Sequence, residues 1–268
     1  MLIEEKLSEV KSGIMEIWES RSILKSLIYK DLFGRYKNSV LGFAWHFVMP
    51  IVILTVYYIV FTSLRSSALP NFWVYLATGV FPFLFMVFNL SGGAGSIVNN
   101  AGIIKKIYFP REIFVIAHVI SEFIIMLLGY IAVLIIIAIS GFPLNTSTVI
   151  YLPLVLVLSA IFVAGFTFLF SALTVYVRDV QYILNSMIFV FYFITPMYFP
   201  TDSVSGIFKT IIWINPFTYY IDTYHTILYY GCNPDLNILI MCVLLSICTF
   251  AIGTFVFHRL KHGFVERL

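Results

Sequence analysis

Glu122 and His118 stand one helical turn apart in a region with almost no other charge, and a carboxyl and an imidazole at that spacing could pass a proton along a helix face. The same pair could make an ordinary helix-packing hydrogen bond, and both readings stay open. Asp222 and His225, at i and i+3, could offer two metal ligands, but no third ligand accompanies them and no metal site is expected. The glycine-rich run SGGAGS (91–96) lacks the lysine and the strand-to-helix setting of a phosphate loop, and the pattern GxxxxGK[ST] is absent, so the chain carries no nucleotide site of its own. Those glycines are expected to kink or closely pack a helix. The loop NNAGIIKKIYFPRE (99–112) sets Lys105, Lys106 and Arg111 around Ile107, Tyr108 and Phe109, with Pro110 resetting the chain. Such a loop can dock in a groove on a soluble partner, or hold phospholipid headgroups with its lysines while Tyr108 sits in an aromatic belt. Finally, Phe217, Tyr220 and Tyr224 share one helix face within an aromatic stretch, which suits either a sugar path or a headgroup interface.

These residues are positioned by an apolar scaffold. Of the 268 residues, 61% are hydrophobic and 11% charged, too few for the polar shell of a water-soluble fold. Five stretches, bounded by Lys37, Arg65, Lys105, Glu122, Arg178, Asp179, Asp202, Asp235 and Arg259, contain no Asp, Glu, Lys or Arg. Each is long enough for a membrane helix, which needs roughly 20 residues. The run after Glu122 is too long for one crossing and divides at the turn residues Gly141, Phe142, Pro143 and Asn145. The expected fold is therefore all-α and polytopic, with six spans near 40–64, 72–98, 113–140, 149–175, 180–199 and 236–257. Glu122 then falls about 14 Å into its span, where an ionised carboxylate is costly unless protonated, paired or hydrated.

Charge sets the orientation. Residues 1–39, 99–112, 176–179 and 258–268 hold 14 of the 16 Lys and Arg residues, leaving Arg65 and Lys209 on the other side. Basic residues are retained in the cytoplasm, so both termini are expected there. The N-terminal segment is no signal peptide, because acids and bases interrupt it. Leu7, Val10, Ile14 and Ile17 recur at helical spacing, which predicts an amphipathic helix on the membrane surface or against a soluble partner. The organisation read from this is an interface helix over 1–30, a transmembrane domain over 31–260 and a short cytoplasmic tail over 261–268. Residues 200–235 are too polar and too interrupted to span. Asn215 and Pro216 form a helix start and Gly231 a stop, which predicts a short re-entrant hairpin on the outer side. Cys232, Cys242 and Cys248 make no disulfide framework.

The segment Asp31–Pro50 brings these readings together. It resembles the opening of the integral-membrane subunits of type-2 ABC exporters for O-antigen, capsule and teichoic-acid polymers, through Asp31, Arg35, Tyr36, Ser39, Leu41, Gly42, Trp45 and Pro50. KKIYFPRE (105–112), VRDV (177–180), ITPMYFP (194–200), INPF (214–217) and the basic tail follow in the order of that family. Its members often carry an Arg in the helix after the NPF-like element, where this chain has Asp222, Thr223, Tyr224 and His225. The resemblance implies a homodimeric permease of the prokaryotic cytoplasmic membrane that moves a lipid-linked glycan between its two copies. Two separate ATPase subunits would bind ATP and Mg and dock on the N-terminal helix and on Lys105, Lys106, Tyr108, Phe109, Pro110 and Arg111. It implies no cofactor in this chain and no catalytic residue, with Phe217, Tyr220, Tyr224 and Glu122 as candidates for the cargo path. A drug- or lipid-exporting permease of the same superfamily is the near alternative. A proton-coupled transporter built on Glu122 would call for more intramembrane acids, and a membrane glycosyltransferase for clustered ones.

Overall fold

The computed structural model describes residues 15–34, 39–64, 69–106 and 109–268. Among them there is no strand. The longer helices are α1 (Arg21–Gly34), α2 (Trp45–Leu64), α3 (Phe72–Ala94), α4 (Glu112–Ile139), α5 (Leu152–Tyr176), α6 (Asp179–Ile194), α7 (Gly206–Ile214), α8 (Pro216–Leu228) and α9 (Leu236–Leu260). Single α-helical turns lie at Ala101–Ile104, Thr146–Val149 and Phe264–Arg267, with short 3-10 turns at Gly42–Ala44, Val98–Asn100, Thr201–Ser203 and Lys261–Gly263.

Five of these helices, α2, α3, α4, α5 and α9, are long and apolar enough to cross a bilayer. They coincide with five of the expected spans, and the chain is a multi-pass membrane protein. The remaining expected span, at 180–199, is realised as α6, whose 16 residues cover about 24 Å before Thr195 turns extended. That is short of the roughly 30 Å hydrocarbon core.

α3 is the hub. In its apolar window 83% of residues are buried, against 11% in α2, because α3 packs on α2, α4, α5, α6 and α8 at once. α2 packs mainly on α3 and leaves Met49, Ile51, Val52, Val56, Ile59 and Val60 exposed. The most extensive pairing joins α5 to α9. Its cause is local: Gly165 and Gly253 face each other so closely that a Cβ on Gly253 would overlap the Gly165 carbonyl oxygen. Such glycines let two backbones touch, which maximises dispersion contact where lipid supplies no hydrophobic drive.

The bundle has two distinct ends. At one, Leu27 of α1, Ile97, Ile104, Ile113, Phe168, Val175, Phe257 and Phe264 form one apolar cluster. The described parts of all four basic segments therefore meet at the same end. At the other, Tyr229 donates to the Pro70 carbonyl (2.6 Å), Thr148 to that of Ile227 (3.0 Å) and Asn145 to that of Gly231 (2.9 Å), tying the remaining loops together.

Candidate functional site

The basic end is built from α1, the segment before α4 and the C-terminal tail. Only part of the expected N-terminal interface helix lies within the described residues; Leu7, Val10 and Ile14 fall outside them. What is described is anchored on α4. Asp31 Oδ2 lies 3.7 Å from His118 Nδ1, Ser121 Oγ donates to the Ile28 carbonyl at 3.4 Å, and Lys30 Nζ donates to Asn100 Oδ1 at 2.7 Å. His118, chosen in the sequence as a partner for Glu122, thus faces Asp31.

The motif leading into the first span works as an elbow. Arg35 and Tyr36 lie outside the described residues. Beyond them the chain bends, and Gly42 takes φ +47°, a left-handed value that a side chain resists. Trp45 Nε1 closes the elbow by donating to Ser39 Oγ at 3.0 Å. Ser39, Gly42 and Trp45 therefore shape the entry to α2, while Asp31 holds α1 against α4.

The segment before α4 presents Lys105 and Lys106 fully to the outside, while Tyr108 lies outside the described residues. Phe109 turns inward and packs on Phe114, ring centroids 5.3 Å apart. Pro110 is half-buried, and Arg111 donates to the Lys261 carbonyl with its guanidinium 5.9 Å above the Phe264 ring. Two exposed lysines thus lie near an inward-facing aromatic in sequence.

Glu122 is buried at 3% exposure within α4. Antiparallel α3 and α4 are registered by Phe85 against Phe123 (5.8 Å) and by His118 Nε2 3.5 Å from the Phe88 carbonyl, which sets Asn89 level with residues 117–119, about one turn from Glu122. Asn89 is wholly buried and donates to the Phe85 carbonyl at 2.9 Å. Within SGGAGS, Gly93 presses on Thr167 of α5, the close packing expected of that run.

At the opposite end, Asn215 Oδ1 accepts from the Phe217 amide (3.1 Å) and Pro216 opens α8, as the residue types predict. Phe217, Tyr220 and Tyr224 share a face, and that face points into protein: each is at most 1% exposed. Tyr220 Oη donates to the Cys242 carbonyl (2.9 Å) beside Ser246, and Tyr224 Oη meets Ser159 Oγ at 2.9 Å. None of the three faces an opening in this arrangement. Asp222 and His225 diverge. Thr201 donates to Asp222 (3.1 Å), and His225 stacks on Tyr75 with centroids 3.8 Å apart. Among the described residues no group of His, Cys, Asp and Glu could hold a metal ion.

Sequence reasoning missed one contact at the basic end. Glu112, the last residue of KKIYFPRE, is buried and receives Lys261 Nζ at 2.8 Å. Its signal was an acid opening an apolar helix with a lysine-bearing tail available to neutralise it, but 149 residues of sequence separate the two.

Known proteins resemble this chain in sequence along almost its whole length. The O-antigen export system permease protein RfbA of Klebsiella pneumoniae is 29% identical over 248 residues, 92% of this chain and 95% of the relative. The protein of the same name from Myxococcus xanthus is 25% identical over 258 residues, 95% of this chain and 98% of the relative. The profile of the ABC-2 type transporter family matches residues 23–229, from α1 through the end of α8, and the chain belongs to that family.

Proposed function

We propose that this chain is the permease subunit of an ATP-driven exporter that moves a lipid-linked polysaccharide across the cytoplasmic membrane of a prokaryote. The likeness to O-antigen export permeases along almost the full length carries this reading. ATP and Mg belong to a separate ATPase subunit, and hydrolysis is that subunit's work. The gathering of α1 and the described part of the 105–111 segment at one end supports a single docking surface for it. The chain acts as a homodimer with the glycan between the copies, and α2, α6 and α9, which leave broad apolar faces exposed, are available to meet a second copy or lipid. Six crossings place both termini in the cytoplasm, with α6 as the short crossing and α7 and α8 as a re-entrant pair. Tyr220 supports that depth, since it reaches Cys242, about 9 Å along α9 from its start.

The direct test is co-purification with the cognate ATPase subunit, followed by hydrolysis assays with lipid-linked glycans. Stimulation by these glycans is expected; stimulation by apolar drugs alone would move the chain to the drug-exporting branch. Topology has its own check. Single cysteines at Ser147 and Ser203 in a cysteine-free background are expected to react with an impermeant thiol reagent outside intact cells, and a cysteine at Val265 is expected to stay unlabelled. Labelling at 265 from outside would reject the orientation.

Reversing Lys105 and Lys106 to Glu tests the docking segment. Both are exposed and touch no span, so the permease is expected to insert normally. Like charges set against a partner's acidic groove cost several kcal/mol, enough to release the ATPase subunit. Normal export by a stably expressed double variant would remove these lysines from the interface.

A further inference from the structure

We propose that the C-terminal segment, residues 258–268, is a latch that holds the 105–111 docking segment and joins its movement to the α5–α9 pair. The inference rests on the docking role proposed above. Four contacts converge on the junction between the docking segment and α4. Glu112 Oε1 receives Lys261 Nζ at 2.8 Å, with His258 Nε2 3.6 Å from the same oxygen. Arg111 donates to the Lys261 carbonyl, and its guanidinium lies over Phe264. Phe264 is itself wholly buried against Phe257 of α9, ring centroids 5.4 Å apart.

The tail is equally fixed on its other side. Tyr176, the last residue of α5, donates from Oη to the Leu260 carbonyl at 3.0 Å, and the Arg267 guanidinium sits 5.6 Å above its ring. Gly263 leaves no room for a side chain beside that hydroxyl. The latch therefore closes a circuit: docking segment, Glu112, Lys261, the end of α9, Tyr176, the end of α5. Because α5 and α9 meet backbone to backbone at Gly165 and Gly253, neither helix can shift alone. A partner that pulls on the docking segment then moves three helices, α4, α5 and α9. Without the latch it moves the start of α4 only.

Glu112 and Lys261 are positioning residues, since neither is placed on the partner. Lys261 is the better target: its side chain is 27% exposed, so its loss creates no cavity, whereas the Glu112 side chain is 10% exposed. The experiment uses the full chain with its ATPase subunit in the native host, measuring retention of that subunit, surface glycan, and the distance between spin labels at 106 and 265. Lys261→Met keeps the aliphatic stem and removes the cation. It is expected to retain the ATPase subunit within twofold, to broaden the label distance distribution and to lower surface glycan at least fivefold. Exchanging the charges, Glu112→Lys with Lys261→Glu, is expected to recover export to within threefold of wild type.

Wild-type glycan and an unchanged distance distribution in Lys261→Met would overturn the latch. So would an exchanged pair that inserts normally and exports no better than Lys261→Glu alone. Should the exchanged pair fail to insert, the Met variant decides by itself. Failure of the docking reading shows differently: Lys105→Glu with Lys106→Glu would keep both partner and export, whatever Lys261→Met does.

Discussion

Gly253→Val is expected to prevent a stable bundle. A Cβ at that position has nowhere to go, because the nearest atoms are the backbone of Gly165 and not the movable end of a side chain. Relief requires α5 and α9 to separate along their most extensive contact. Overpacking of a core costs about 1–3 kcal/mol where side chains can adjust. Here they cannot, so a loss of at least about 3 kcal/mol is expected, a large part of the stability of an ordinary domain. Ile252→Val, next in sequence but 56% exposed, provides the control. Detergent-solubilised Ile252→Val should elute as wild type and melt within a few degrees of it, while Gly253→Val should aggregate or melt far lower. A Gly253→Val protein with wild-type elution and melting would mean that the two helices do not meet at these glycines.

The second large effect concerns Tyr220 and Tyr224. Removing a buried aromatic ring costs about 3–5 kcal/mol, so Tyr220→Ala with Tyr224→Ala is expected to destabilise the protein before any effect on transport can be read. The informative variants are Tyr→Phe. Ser159 also donates to the Leu156 carbonyl, and Ser246 to those of Leu158 and Cys242, so removing either tyrosine hydroxyl strands no serine. Each Phe variant should cost only about 1 kcal/mol. If the rings serve packing, as their enclosure indicates, the double Phe variant keeps both fold and export. If they bind sugar hydroxyls in a state with α8 opened, the fold survives but export of long glycans falls. Melting temperature and surface glycan, measured on the same variant, separate the two.

Much of this architecture is legible in the sequence because lipid imposes strong rules on composition. Uncharged runs located the five long helices, and Asn215, Pro216 and Gly231 marked α8 to within a few residues. The basic segments identified one end of the molecule before any packing was known. What the sequence did not disclose depends on rotation and distance. Phe217, Tyr220 and Tyr224 were correctly grouped on a face, yet periodicity cannot say whether an aromatic face meets cargo, lipid or protein. In an apolar helix every face looks buried. His118 was paired with Glu122 by spacing, whereas α1, a separate element, supplies Asp31 instead. The Glu112 and Lys261 contact joins residues from two remote segments, and only the docking of α9 on α5 brings them together. The short α6 shows a further limit: Thr195 and Pro196 end the helix before its apolar run is finished.

The glycine contact between α5 and α9 also bears on how the protein is made. Gly165 and Gly253 are 88 residues apart in sequence, and at roughly 5–20 residues per second the ribosome needs about 4–18 s to deliver the second after the first. Throughout that interval α5 has been synthesised without the neighbour its surface is cut to fit, so the insertion machinery or surrounding lipid must occupy the place. Bundle closure is thereby deferred to the end of translation, and a chain stopped before α9 leaves a recognisable, half-matched helix for membrane quality control to remove.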